Sequence, residues 1–353
     1  MTISSAHWGD LADGTPVDLH TLSHDNGLRV TVTNLGASLV SWFAPDRNGH
    51  LADILLGHDT PAAYTTGPAY MGAIVGRWAN RIANARFSLD GVAYPLEANQ
   101  PPNSLHGGFQ GFSYKLWQAR HTGDALVLTL ESPAGDSGFP GALTVQVTYA
   151  FTDAGELTIT YDAFTDAPTP LNLTNHAYFN LSGVDLTTID DHEIEIAADQ
   201  FFAIDEHTIP THLEDVADTP FDFRTAALLG PRIDARDNEQ VTLAGGGIDH
   251  CYVLRTAAPV TELPEMRRVA AVYHPGSGRE LTVSTTERGL VFYTSNSLAG
   301  VPGKRGVTYQ KHGALCLEAG GFPNQINMDD AEDVVLRPNE RYRQVTRYAM
   351  RVR

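Results

Sequence analysis

The amino-acid sequence predicts an all-β protein, a large antiparallel β-sandwich with few short helices, and three observations carry that prediction. Apolar residues alternate with polar ones across many short runs rich in Val, Ile, Thr and aromatics, the period of a half-buried strand. Thirty-two glycines and 20 prolines punctuate the 353 residues, supplying turns between those runs. A single open sheet of more than about ten strands would curl or split, so two packed sheets are expected.

In chain order the predicted strands are residues 28–43 (LRVTVTNLGASLVSWF), 87–96 (FSLDGVAYPL), 125–132 (ALVLTLES), 143–151 (LTVQVTYAF), 156–164 (ELTITYDAF), 191–198 (DHEIEIAA) and 280–286 (ELTVSTT). Asp90-Gly91 divides the second run as a hairpin turn. Asp153-Ala154-Gly155 does the same between the fourth and fifth. Residues 224–237 (RTAALLGPRIDARD) are the best candidate for a short helix. No linker, low-complexity tract or fixed-period repeat interrupts the chain, so one domain over residues 1–353 is expected.

Composition excludes several function classes. Hydrophobic residues at 42% and charged residues at 19% suit a soluble globular protein. A formal net charge of −18 opposes nucleic acid or an anionic membrane surface as partner. The first basic residue is Arg29, and residues 1–18 contain no apolar core of the kind a secretory signal needs. Cys251 and Cys316 both lie in apolar contexts that favour buried thiols over a disulfide, which fits a cytoplasmic protein.

Residues 171–183 (LNLTNHAYFNLSG) set one histidine, His176, among amides, hydroxyls and aromatics. A neutral sugar offers hydroxyls at its edges and C–H faces, and this mixture matches it. His176 is the group there able to move a proton near neutral pH. By itself the same histidine reads more readily as a satisfied core residue.

Four further segments carry polar residues unusual for strands. They are GRWANRIANARF with Arg77, Asn80 and Arg81; NSLHGGFQGF with His106; GGGIDHCYVL with Asp249 and His250; and LCLEAGGFPNQIN with Glu318. Read alone, His106 caps a turn, Asp249 is a turn acid, Glu318 is a strand-end carboxylate, and Arg81 is a solvated arginine or a partner for Asp53. His250 should face away from Asp249, and Tyr178 and Phe179 should face opposite sides. Trp8, Trp42 and Trp117 read as core. His20 and His24 lack the helix that would bring them together as metal ligands, and no Gly-rich loop ends in Lys-Ser or Lys-Thr.

In this order, and with APDRNGHLADILLG, YMGAIVGRWANRI, IPTHLEDVADTPFDFR and VFYTSNSL between them, these segments resemble the aldose 1-epimerase (galactose mutarotase) family over nearly the whole chain. The resemblance implies a galactose mutarotase-like supersandwich and an isomerase that interconverts the α and β anomers of a free aldose. It implies Glu318 as base and His176 as acid, with His106 a second candidate for the acid. Asn80, Arg81, His106 and Asp249 would bind the sugar. No cofactor and no metal are implied, because the chemistry is proton transfer plus rotation about C1–C2. The expected partner is a small free aldose, and the expected assembly is a monomer or homodimer.

Two positions depart from the family pattern. Val291 stands where many members have Gln, and Ala319-Gly320 follows Glu318 where Thr-Gln is common. The expectation is one lost sugar contact and a wider, more apolar pocket edge, favouring a pentose or a 6-deoxy sugar. Two alternatives remain: a hexose-phosphate epimerase on the same fold, and a sugar-binding protein without catalysis.

Overall fold

The computed structural model describes residues 1–67, 69–183, 188–255 and 266–353. Three sheets dominate it. The N-terminal strands Thr2–Asp10, Pro16–Ser23, Arg29–Thr33, Leu39–Pro45 and Leu51–Asp53 pair in chain order. A nine-stranded sheet runs Gln118–Thr122, Ala125–Ser132, Leu143–Phe151, Leu157–Thr165, Tyr342–Val352, Arg279–Thr285, Arg267–Tyr273, Glu193–Ile196 and Ala227–Leu228. The third runs Pro210–Asp215, Ala198–Ile204, Asp249–Leu254, Gly289–Tyr293 and Cys316–Gly320.

Alternation in the sequence explains how these sheets pack. Leu143–Phe151 and Leu157–Thr165 bury every second residue, placing Val145, Val147, Tyr149, Ile159 and Tyr161 in one apolar cluster. Val30, Val32 and Trp42 enter that cluster from the N-terminal sheet. Tyr252, Leu290, Phe292, Leu317 and Ala319 enter it from the third. The nine-stranded sheet is thus covered on its inner face by both smaller ones, the sandwich that two half-apolar sheets require.

The predicted strands are present, with one division. The run 28–43 is two strands, because Gly36 and Ala37 take positive φ and turn the chain between Thr33 and Leu39. The hairpin Arg86–Leu89 to Val92–Pro95 turns on Asp90 and Gly91, both at positive φ as a type I′ turn demands. Tyr342–Val352, the centre of the large sheet, had no place in the sequence reading, since its arginines and glutamine interrupt the apolar signal. Among the described residues the three α-helices span five or six residues, and Leu229–Ile233 falls inside the segment expected to hold one. Among the described residues no helix is long and apolar enough to cross a membrane.

Candidate active site

Register in the third sheet decides which side chains face away from the core. Asp249 lies opposite Tyr293, which lies opposite Cys316; two residues along, Cys251, Val291 and Glu318 form the next row. Period two then puts Asp249 and Glu318 on one face, while His250, Phe292 and Leu317 turn inward. His250 accordingly sits between the rings of Phe201 and Phe221, and its Nε2 meets Gln240 Oε1 at 3.2 Å.

Over that outward face lies a pocket of about 170 Å³ lined by Tyr70, Asn80, Arg81, Gln100, Leu105, His106, His176, Tyr178, Asp249, Tyr293, Ser297 and Glu318. Every residue expected at the site is in that lining. A larger hollow of about 450 Å³, lined among others by Glu287, Arg341 and Tyr342, holds no histidine and none of the expected residues. Chemistry therefore selects the smaller one.

His176 and Glu318 meet at the floor, with Nε2 3.7 Å from Oε1 and both side chains almost fully buried. Burial pushes the His176 imidazole down to about 4, opposed slightly by its own backbone carbonyl. Burial also holds the Glu318 carboxyl well above its usual range; the negative charge of Asp249 adds to this and Arg81 opposes it. The ring of Tyr178 stacks on His176 at 4.9 Å and 20°, fixing the plane of the imidazole. Phe179, one residue on, is in the core, as alternation required.

His106 is held differently. Its Nδ1 accepts the backbone N–H of Asn80 at 3.1 Å, and the backbone N–H of His106 donates to the Asn80 carbonyl at 3.1 Å. With Nδ1 acting as acceptor, the ring proton must sit on Nε2. Burial lowers its pKa well below the ordinary histidine value, with His176 and Arg81 adding to the effect. His106 is therefore a fixed neutral N–H donor.

Asn80 Oδ1 accepts the N–H of Arg81, and Arg81 Nε donates to Gln100 Oε1 at 2.7 Å. The guanidinium lies 3.8 Å from Asp249 Oδ2, and the carboxyl of Asp249 is raised by burial against the pull of Arg81. Arg81 is thus neither solvated nor paired with Asp53, which instead holds Lys304 Nζ at 2.7 Å in the interior. Arg77 lies outside the lining: its guanidinium donates to the carbonyls of Ser132, Pro133, Pro140 and Gly141.

The two departures occupy positions other than those expected. Ala319 faces the core, the opposite side from Glu318, so it cannot widen the pocket edge. Val291 does share the face of Glu318, but it packs with Cys251 and Phe322 rather than lining the cavity. Tyr70, Gln100, Tyr293 and Ser297 were not anticipated. Aromatics in apolar runs read as core, and Gln100 in a proline turn reads as solvent; the Tyr293 hydroxyl bonded to Ser297 Oγ at 2.7 Å needs the fold to be seen.

Among the described residues two groups bring three metal-capable atoms within 4.8 Å: His106, His176 and Glu318, and Asp191, His192 and His274. In the first, His106 directs a proton rather than a lone pair from Nε2, leaving two donors where three are needed. In the second, His192 Nε2 accepts the N–H of Leu181 and His274 Nδ1 that of Ser277. Both imidazoles therefore turn N–H groups to Asp191, at 3.0 Å each. That is a carboxylate bridging two imidazoles. The donor sets present do not fit a metal ion.

Known proteins resemble this chain over nearly its whole length. The family model described as aldose 1-epimerase matches residues 18–349. The galactose mutarotase of Sus scrofa is 39% identical over 355 residues, covering 100% of this chain and 99% of that protein. The aldose 1-epimerase of Escherichia coli is 38% identical over 341 residues, covering 95% and 96%. Among solved structures, an aldose epimerase homologue from C. elegans superimposes with a TM-score of 0.85 at 32% identity, covering 94% of this chain and 98% of that one. A galactose 1-epimerase from Lactobacillus acidophilus gives 0.85 at 25% identity, covering 100% and 99%.

Proposed function

The chain belongs to the aldose 1-epimerase family, whose members are isomerases, and on that premise we propose that Glu318 and His176 are the base and acid of an aldose mutarotation. The observation that carries this reading is their 3.7 Å approach at the floor of a pocket otherwise lined by hydrogen-bonding groups. Ring opening takes a proton from the C1 hydroxyl and gives one to the ring oxygen. Both oxygens sit on one carbon, so donor and acceptor must be neighbours.

The protonation balance supports the cycle. A closed ring needs Glu318 as carboxylate and His176 as imidazolium; the open chain leaves Glu318 protonated and His176 neutral. Opening therefore neutralises a buried ion pair, which a dry site favours. Rotation about C1–C2 presents the other carbonyl face, and closure reverses both transfers. His106 donates from Nε2 to a sugar oxygen, Arg81 donates from its planar fork, and Asp249 accepts. Asn80 fixes His106 and Arg81 by its backbone and side-chain bonds.

A phosphorylated sugar would call for several cations, and Arg81 is the only Lys or Arg in the pocket lining. A non-catalytic binder would have no use for a buried carboxyl against a buried imidazole. Glu318→Gln and His176→Asn should each lower kcat by about 10²- to 10⁴-fold in a polarimetric assay on freshly dissolved α-glucose. Wild-type rates in both variants would sink the assignment.

On the sugar, Val291 packs with Cys251 and Phe322 outside the pocket lining, so the site lacks the hydroxyl contact that a glutamine at this position would offer. That favours an aldose presenting hydrogen or methyl on that side, a pentose or a 6-deoxy sugar. The expected outcome is a higher kcat/KM for xylose, arabinose or fucose than for glucose and galactose; the reverse order would refute it.

A further inference from the structure

Arg81 and Asp249 are opposite charges in one pocket, both largely buried, yet they do not close on each other. The 3.8 Å from Arg81 Nη1 to Asp249 Oδ2 is beyond hydrogen-bond reach, and among the described residues no donor bonds either oxygen of that carboxyl. Where water is excluded such charges attract strongly, and a guanidinium and a carboxylate ordinarily meet as a close two-pronged pair. Something holds this guanidinium back.

The restraint is Gln100. Its Oε1 accepts the Nε–H of Arg81 at 2.7 Å, the one hydrogen bond that the guanidinium makes with a described residue. Gln100 is exposed, so ordering its long side chain costs rotamer entropy, and the backbone beneath it is pinned on both sides. Asn99 closes on Leu105, its Oδ1 accepting the Leu105 N–H at 2.7 Å and its Nδ2 donating to the Leu105 carbonyl at 2.9 Å. Gln100 and Asn103 exchange backbone hydrogen bonds at 3.1 and 2.8 Å, and Asn103 Oδ1 accepts the N–H of Asn84 at 2.9 Å. Leu105 in turn pairs with Arg81 across a short antiparallel ladder. One loop therefore carries both the residue paired to the Arg81 backbone and the residue bonded to the Arg81 side chain.

We propose that Gln100 is a positioning residue that holds Arg81 off Asp249, so that the terminal NH2 groups of the guanidinium and the carboxyl both stay open to sugar hydroxyls. The inference rests on the reading of Arg81 and Asp249 as sugar-binding groups.

An acceptor on Nε achieves this without occupying the binding groups. A guanidinium carries five N–H donors in a rigid plane, one on Nε and four on the terminal nitrogens. Gln100 takes the first, which fixes the plane and leaves the other four. Without it the guanidinium moves the short distance to Asp249 and forms the bidentate pair. Each partner then satisfies the other, and both are lost to the sugar at once.

A double-mutant cycle on mutarotation kinetics tests this, joined to nitrogen-15 spectra of the Arg81 side chain. Gln100→Leu keeps the bulk and removes the acceptor; it should raise KM about 10-fold, with kcat within about threefold of wild type. In an Asp249→Asn background no carboxylate remains to capture Arg81, so adding Gln100→Leu should raise KM further by less than about threefold. The terminal NH2 protons of Arg81 should give separate, rotationally hindered signals in Gln100→Leu but not in wild type or the double variant. A role confined to shaping the loop would multiply KM by the same factor in both backgrounds, and that result would overturn the proposal. Arg81→Leu separates the inference from its premise. A wild-type KM in Arg81→Leu would sink the binding role of Arg81 and the inference with it. A raised KM there, with wild-type kinetics in Gln100→Leu, would sink the inference alone.

Discussion

Glu318 and His176 share one proton between them in either form of the pair, and the pH profile should report the pair rather than either residue. Gaining a second proton requires His176 to titrate at its lowered pKa of about 4. Losing the shared one requires Glu318 to ionise well above the usual carboxylate range, beside neutral His176. kcat/KM should therefore stay level through neutrality, fall in acid with an apparent pKa near 4, and fall in alkali. An acid limb at the ordinary histidine value of about 6.5 would contradict it. At this scale much was legible in sequence: His176, Glu318, His106, Asn80, Arg81 and Asp249 all line one pocket. Cys316 was read as a buried thiol, which it is; its contact with His176 Nδ1 joins residues 140 apart and no local pattern encodes it.

Local elements hold these groups through tight backbone approaches, and the loop after His106 is the sharpest case. Gly107 has φ +84, and a Cβ there would stand 1.9 Å from the carbonyl oxygen of Gly76. Gly135 has the same φ with open space around it. Gly135→Ala should therefore cost only the conformational strain, about 1 kcal/mol. Gly107→Ala must also displace the Gly76 backbone, so it should lower the thermal midpoint much further and reduce kcat by moving His106. Equal midpoints for the two variants, measured by calorimetry, would show that the close approach is not a constraint. The Gly-Gly after His106 could be read from sequence as a sharp turn, but the opposing Gly76 carbonyl could not. Ala319 teaches the same limit: its place beside Glu318 in sequence suggested the pocket, and strand alternation sends it to the core.

For the molecule as a whole, the fold class followed from period-two patterning because each sheet buries one face. The central strand Tyr342–Val352 is not legible in the sequence because its arginines and glutamine interrupt the apolar signal. Burial of neutral histidines has a global consequence. His176 is lowered to about 4 and His250 to about 3, while His106 and His192 are also lowered, in each case chiefly by burial. Unfolded, each takes a proton near pH 6.5, so below that pH the unfolded chain binds more protons and stability falls toward pH 3 to 4. The buried carboxyls of Glu287, Glu318 and Asp249, all raised chiefly by burial, act in the opposite sense, as does the loss of net negative charge. Replacing one histidine isolates its share: as pH falls from 6.5 to 4.5 the thermal midpoint of His250→Phe should change in the stabilising direction relative to that of the wild type. The same change in both proteins would show that His250 contributes nothing to the pH dependence.

The central claim is that Glu318 and His176 act as one unit on the anomeric carbon, and a double-mutant cycle tests it most directly. Polarimetric mutarotation rates for Glu318→Gln, His176→Asn and the double variant should show each single loss at about 10² or more, with the double no slower than the worse single. A double variant slowed by the product of the two single effects would mean independent contributions and would contradict the pair.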